Sequence, residues 1–105
     1  MSEENILSNC TGFDWDKHNS EKIWTNHRVS PSESEQIFFN LPLVITDAVK
    51  YAGDENRLYA LGHTNTNRLL FVVFTIRGKN IRIISARNMS RKERKVYLAY
   101  EKENS

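Results

Sequence analysis

The 105-residue sequence predicts an α+β fold: two N-terminal helices, a four-stranded antiparallel sheet and a C-terminal helix. Three observations carry this expectation. Ser30-Pro31-Ser32-Glu33 and Ser90-Arg91-Lys92-Glu93 are capping boxes, in which hydroxyl and carboxylate satisfy each other's orphan amides, so helices start at both places. Between them, from Leu43 onward, the pattern changes to short runs rich in β-branched and aromatic residues. The joins between the later runs, Asn65-Thr66-Asn67 and Gly78-Lys79, are short enough to make hairpins of an antiparallel meander.

Taken in order, residues 1 to 12 show no periodicity and read as a flexible tail, which leaves 13 to 105 as the single domain. Ile23, Trp24 and His27 fall at helical spacing behind Asp14 and Asp16, either of which can cap, and this predicts a first helix over Asp16 to Asn26. The second helix begins at Ser30, with Pro31 at its first position, turns Ile37 and Phe38 inward and ends near Phe39 ahead of Pro42. Strands are expected at Leu43 to Asp47, Arg57 to Thr64, Arg68 to Arg77 and Asn80 to Arg87. The run Leu69 to Phe74 is apolar on both faces, so the third of these belongs at the centre of the sheet. The last helix opens at Ser90 and places Val96, Tyr97 and Tyr100 on one stripe.

With 39% hydrophobic and 27% charged residues the composition is that of one ordinary domain. A chain of this size buries roughly 60 to 70% of its unfolded surface, enough for one core without metal or disulfide. Multi-domain enzymes are excluded. The longest strictly apolar run, Leu69 to Phe74, is far short of the roughly 20 residues that span a bilayer, so no membrane helix is expected. The segment Met1 to Thr11 has no basic region typical of a secretory signal, and the single cysteine, Cys10, fits a reducing compartment; the expected location is the cytoplasm.

The net charge of +2 conceals a division: residues 1 to 56 carry a net −6 and residues 57 to 105 a net +8. Such polarity suits a polyanionic partner or an acidic protein that covers one end of the molecule. On the second strand Arg57, Tyr59, Leu61 and His63 share a face, and Ser85 and Arg87 project together from the fourth. Arg68 and Arg77 flank the third strand. Arg82 sits among isoleucines and must meet a carboxylate or face a solvent-filled groove. Arg91, Lys92, Arg94 and Lys95 crowd the start of the last helix, where cations oppose the macrodipole, so helix stability alone does not account for them. Clustered guanidinium groups bind phosphate in bidentate fashion. The competing reading is that Arg82 and Arg87 form internal ion pairs with Asp47, Asp54, Glu55 or Glu93. The histidines, His18, His27 and His63, form no metal-ligand pair with one another or with a cysteine, so neither a metal site nor a cofactor is expected. His63, near the end of its strand on the face of Arg57, is a candidate general acid or base.

Several segments together resemble one family. Trp15-Asp16, His27 followed by Val29, Glu55-x-Arg57, Arg68-Leu69-Leu70, Val72-Val73-x-Thr75-x-Arg77-Gly78, Ile81-Arg82-Ile83-Ile84-Ser85-Ala86-Arg87 and Arg91-x-Glu93-Arg94-x-x-Tyr97 look like the BrnT family of type II toxins. The resemblance implies a RelE-like fold and a ribonuclease toxin that inhibits translation. It also implies a cognate BrnA-type antitoxin, a heterotetramer with it, and operator DNA reached only through that antitoxin. Carried over residue by residue, it implies catalytic roles for Arg57, Arg68, Arg82 and Arg87, with Arg77 and Tyr97 as further matches. The chain departs from the family pattern in its first helix, where Asn19, Ile23 and Asn26 stand in place of a Lys, an Asn and a Lys, and Arg28 stands in place of a Gly.

The expectation is then a metal-independent endoribonuclease. Arg57, Arg68, Arg82 and Arg87 hold the scissile phosphate, His63 and after it Glu55 are the candidate bases, and Arg77, Arg91, Arg94 and Tyr97 complete the contacts to RNA. The alternative is a non-catalytic module of the same fold that binds nucleic acid or a protein partner.

Overall fold

A computed structural model describes residues 7–47 and 57–103. A short strand β1 (Gly12–Asp14) leads into helix α1 (Lys17–His27), helix α2 (Pro31–Gln36) and a 3-10 turn at Ile37–Phe39. Strands β2 (Val44–Asp47), β3 (Leu58–His63), β4 (Leu69–Arg77) and β5 (Asn80–Asn88) follow, and helix α3 (Arg91–Glu103) closes the domain. The sheet order is β1-β5-β4-β3-β2, with β4 at the centre as its two-sided apolar run predicts.

The caps are those read from the sequence. Asp16 accepts from the amides of His18 and Asn19 at the start of α1, and Ser30 and Glu33 close a reciprocal capping box at α2. Arg28 ends α1 in the left-handed region, φ 54°. The β4-β5 hairpin turns at Gly78, φ +60°, a conformation that costs glycine nothing.

The sheet differs from expectation in having five strands and being mixed rather than four-stranded and antiparallel. The four predicted strands do pair antiparallel, but Gly12–Asp14, assigned to the tail and the segment after it, adds to the edge in parallel with Asn80–Arg82. Three residues are too few to show a period of two, and what fixes them is main-chain pairing to a distant strand, together with the bond from the Thr11 amide to the Lys79 carbonyl. The expected stripe on α3 also differs. Only Tyr97 is buried, while Val96 and Tyr100 are 46% and 40% exposed.

One face of the sheet is sealed. Leu58, Ala60, Leu70, Val72, Phe74, Ile81, Ile83 and Ala86 bury there against Ile23 of α1, Val29 and Ile37. Gly62 belongs to this face because an added Cβ would stand 2.8 Å from the Ile37 Cβ. On the other face, α3 packs through Tyr97 over one end only, against Val44 and Met89 with Leu61, Leu69 and Phe71 beside them. The remainder of that face is half-exposed except at Thr75, which is buried, as the burial pattern along β3 to β5 records.

Candidate functional site

The strand registers lay out the half-exposed face in rows. Tyr59 lies opposite Val73 and Val73 opposite Ser85; one row on, Leu61 lies opposite Phe71 and Phe71 opposite Arg87. Toward the other end Thr75 pairs with Arg82, and Arg57 immediately precedes β3. The register breaks between Val73 and Phe74, so that Ile84 is an extra residue in β5. This bulge decides the site. Arg82 and Arg87 are five apart, which in a regular strand puts them on opposite faces; the inserted residue turns both onto the open one.

Aromatic rings form a floor beside Arg87, on β3 and β4. The rings of Tyr59 and Phe71 lie 5.2 Å apart, and the Arg87 guanidinium sits 4.2 Å from the centre of the Phe71 ring. Arg87 also grips Glu93 in a two-pronged pair, Nη1 to Oε1 at 2.8 Å and Nη2 to Oε2 at 2.9 Å. Glu93 Oε1 in turn accepts from the Ser90 amide, while Ser90 Oγ accepts from the Glu93 amide, so the capping box of α3 is fastened to the arginine. The Arg87 hydrogen bonds hold the Glu93 carboxyl below its usual range.

Arg82 is held more lightly. One Nη2 proton reaches Asp16 Oδ2 at 3.2 Å, and no other bond from this guanidinium is made among the described residues. Four of its five N–H groups are therefore left for a ligand. The amides of His18 and Asn19, with Arg82 adding to them, keep Asp16 below its ordinary carboxylate range.

Arg68 does not join the cluster. Its guanidinium turns to the helix-covered side, where Nε donates to Asn88 Oδ1, Nη1 to the Arg28 carbonyl and Glu33 Oε2, and Nη2 to the His27 carbonyl. Four of its five N–H groups are used in tying the α1-α2 corner to the sheet. Burial pushes the Glu33 carboxyl up, but the Ser30 amide and Arg68 more than reverse it, and the net displacement is downward.

His63 stands at the end of the face that α3 covers, six residues along β3 from Arg57, about 20 Å at strand rise. Its Nδ1 is 2.7 Å from Tyr97 Oη, and Tyr97 donates to the Pro42 carbonyl at 2.8 Å. The single hydroxyl proton goes to Pro42, since a carbonyl can only accept. His63 therefore donates from Nδ1 and presents Nε2 as an acceptor. Tyr97, expected to touch substrate, is fully buried and instead positions His63; burial and the Glu101 charge push its hydroxyl up to about 12.

Among the remaining expected residues, Arg91 and Arg94 are exposed on the first turns of α3, and Arg77 ends β4 at an exposed hairpin. Arg57 and Arg77 both have partners. Glu55 lies outside the described residues, as does Asp54. Among the described residues no group of three His, Cys, Asp or Glu side chains is placed to hold a metal ion, and no helix is long and apolar enough to cross a membrane.

The model of the family described as the ribonuclease toxin, BrnT, of type II toxin-antitoxin systems matches residues 15–93. The chain belongs to the BrnT family. The 1.1 Å crystal structure of the Brucella abortus ribonuclease toxin BrnT superposes with a TM-score of 0.56 and 20% identity, covering 77% of this chain and 99% of that one. At this identity the likeness establishes the shared fold. No curated protein matches the chain in sequence.

Within this BrnT-family chain, the sequence reading missed the aromatic floor of Tyr59 and Phe71 and the acidic partners Asp16 and Glu33. Glu93 stood only in the competing reading, as one of four carboxylates offered to Arg82 and Arg87; Arg87 does pair with it, and Arg82 pairs with Asp16 instead. The signal for Glu33 was present in its capping box, because a carboxylate held at a helix start is a fixed counter-charge for any arginine that folds against it.

Proposed function

We propose that this BrnT-family toxin is a metal-independent endoribonuclease that inhibits translation in the cytoplasm and that its open sheet face is the RNA site. The observation that carries the reading is that the bulge brings Arg82 and Arg87 onto one open face that also carries the Tyr59 and Phe71 rings. Guanidinium groups take up phosphate charge, and aromatic rings on an exposed sheet stack unpaired bases, so the face suits a single RNA strand. In this mechanism Arg57, Arg82 and Arg87 neutralise the scissile phosphate while the ribose 2′-hydroxyl attacks it, leaving a cyclic phosphate and a 5′-oxygen that takes its proton from water. His63 Nε2, oriented by Tyr97, stands at the far end of the face from Arg57 and contacts the flanking RNA there, which leaves Glu55, two residues before Arg57 in the chain, as the base nominated for the 2′-hydroxyl proton. Arg77, Arg91 and Arg94 hold the flanking backbone, and Arg68 acts on the fold.

A BrnA-type antitoxin neutralises the toxin by laying acidic surface over the same face, in a heterotetramer that reaches operator DNA through the antitoxin. Its association rate falls with salt.

The deciding experiment is cleavage of a long single-stranded RNA in excess EDTA, with and without ribosomes, by the parent and by Arg82→Gln, whose amide can still bond Asp16. Removing one charge-stabilising donor is expected to slow cleavage about 10² to 10³-fold while the thermal melt stays cooperative. A folded parent that binds RNA and cuts nothing under either condition would leave the non-catalytic binding module in its place.

A further inference from the structure

A second polar surface adjoins the open face. Because β1 pairs only with Asn80–Arg82, no strand among the described residues lies beside the edge of β5 beyond Arg82, and α1 lies there instead. The bulge at Ile84 and the helix leave a cleft of about 210 Å³ between them. Asn19, Lys22, Asn26 and His27 line it from α1, and Ile84 and Ser85 from β5. Among the described residues the side chains of Asn19, Lys22, Asn26, His27 and Ser85 make no hydrogen bond or ion pair, although all five border one small space. The volume is below the roughly 300 to 1,000 Å³ of pockets for drug-sized ligands and suits a single ring system.

We infer that this cleft is a nucleobase subsite that reads one base of the bound RNA, an inference that rests on the ribonuclease reading above. The chemistry of the lining selects the ligand. Carboxamides offer a donor and an acceptor side by side, which is the complement of a base edge, and the Ile84 side chain supplies an apolar wall for the ring face. Lys22 and His27 at the rim suit the sugar-phosphate chain, and no carboxylate lines the cleft to favour a cation. Ser85 makes the connection: it lines the cleft, and it sits opposite Val73 between Arg82 and Arg87 on the open face. A strand whose phosphate rests on those arginines can turn one base over the β5 edge and into the cleft.

The test is titration of uniformly labelled full-length protein with each of the four nucleoside 3′-monophosphates, following the side-chain amide signals of Asn19 and Asn26 and the Nε signals of Arg82 and Arg87 by NMR. One nucleotide is expected to move the asparagine signals and to bind about tenfold more tightly than the poorest of the four. Asn26→Ala is expected to level the four affinities while the arginine signals still respond. If all four bind alike, moving the arginine signals and leaving both asparagines silent, the subsite is overturned and the phosphate site stands. Asparagine signals that ignore every nucleotide but broaden on adding the antitoxin would overturn it in favour of a protein contact. A parent that neither responds to any nucleotide nor cuts RNA would overturn the ribonuclease reading as well.

Discussion

Tyr97 shows how much one side chain can fix. It is fully buried, it donates to the Pro42 carbonyl across the domain, and it receives the His63 Nδ1 proton, so one hydroxyl joins α3, the segment before β2 and the end of β3. Tyr97→Phe leaves an imidazole N–H and a carbonyl without partners, and we expect it to cost about 1 to 3 kcal/mol in urea unfolding. The hydroxyl also sets a pH dependence. Its folded value, about 12, lies above the ordinary 10.0, so its contribution to stability is whole below pH 10 and is lost as pH rises through 12. The parent should therefore lose stability over that interval by a component that Tyr97→Phe lacks, and equilibrium unfolding at a series of alkaline pH values measures it. Identical alkaline limbs in the two proteins would remove the hydroxyl from the account.

At the level of elements, the two glutamates of the capping boxes serve the sheet as well as their helices. Glu33 holds Arg68 at the α1-α2 corner and Glu93 holds Arg87 beneath α3. Because Arg87 lowers the Glu93 carboxyl below its ordinary 4.5, that contribution is present above pH 4.5 and is lost as pH falls below it. Glu93→Gln is expected to flatten the acid limb of the stability profile and to loosen α3, at a cost of about 1 kcal/mol at neutral pH. The packing of the 3-10 turn on β3 makes another test. A methyl group at Gly62 meets the Ile37 Cβ at 2.8 Å, so Gly62→Ala should destabilise by about 1 to 3 kcal/mol through overpacking, although alanine favours a strand more than glycine does. An unchanged melting temperature would mean that the turn yields freely.

Across the whole molecule, the charge division written along the chain is partly cancelled by folding. Three arginines of the basic half, Arg68, Arg82 and Arg87, meet carboxylates, two of them from the acidic half. The exposed cations Arg91, Lys92, Arg94 and Lys95 make no ion pair among the described residues. With Lys79, also exposed and outside the ion pairs among the described residues, they carry the polarity that survives as a surface field. If they hold RNA backbone, replacing Arg91 and Arg94 together with Gln should lower the slope of log affinity against log salt by about 1.4, at roughly 0.7 per phosphate contact on a single strand. The weakening should be similar for RNAs of different sequence, as phosphate contacts position and do not read. A slope equal to that of the parent would place the RNA elsewhere.

How legible this was differs from residue to residue. Helix starts at Asp16, Ser30 and Ser90, the antiparallel meander and the central place of β4 could be read from the chain because capping and alternation are local: each depends on residues a few positions apart. The family could be read for the same reason, since Ile81 to Arg87 and Arg91 to Tyr97 lie in unbroken segments. The sequence by itself determined those elements and the basic character of the second half. Only the tertiary structure decided which arginines share a face. A single extra residue at Ile84 reverses the alternation that places Arg87, a counter-charge at Glu33 draws Arg68 to the opposite side, and β1 exists through hydrogen bonds to a strand more than sixty residues away. Pairing and register are properties of contacts between distant segments, and no local pattern records them.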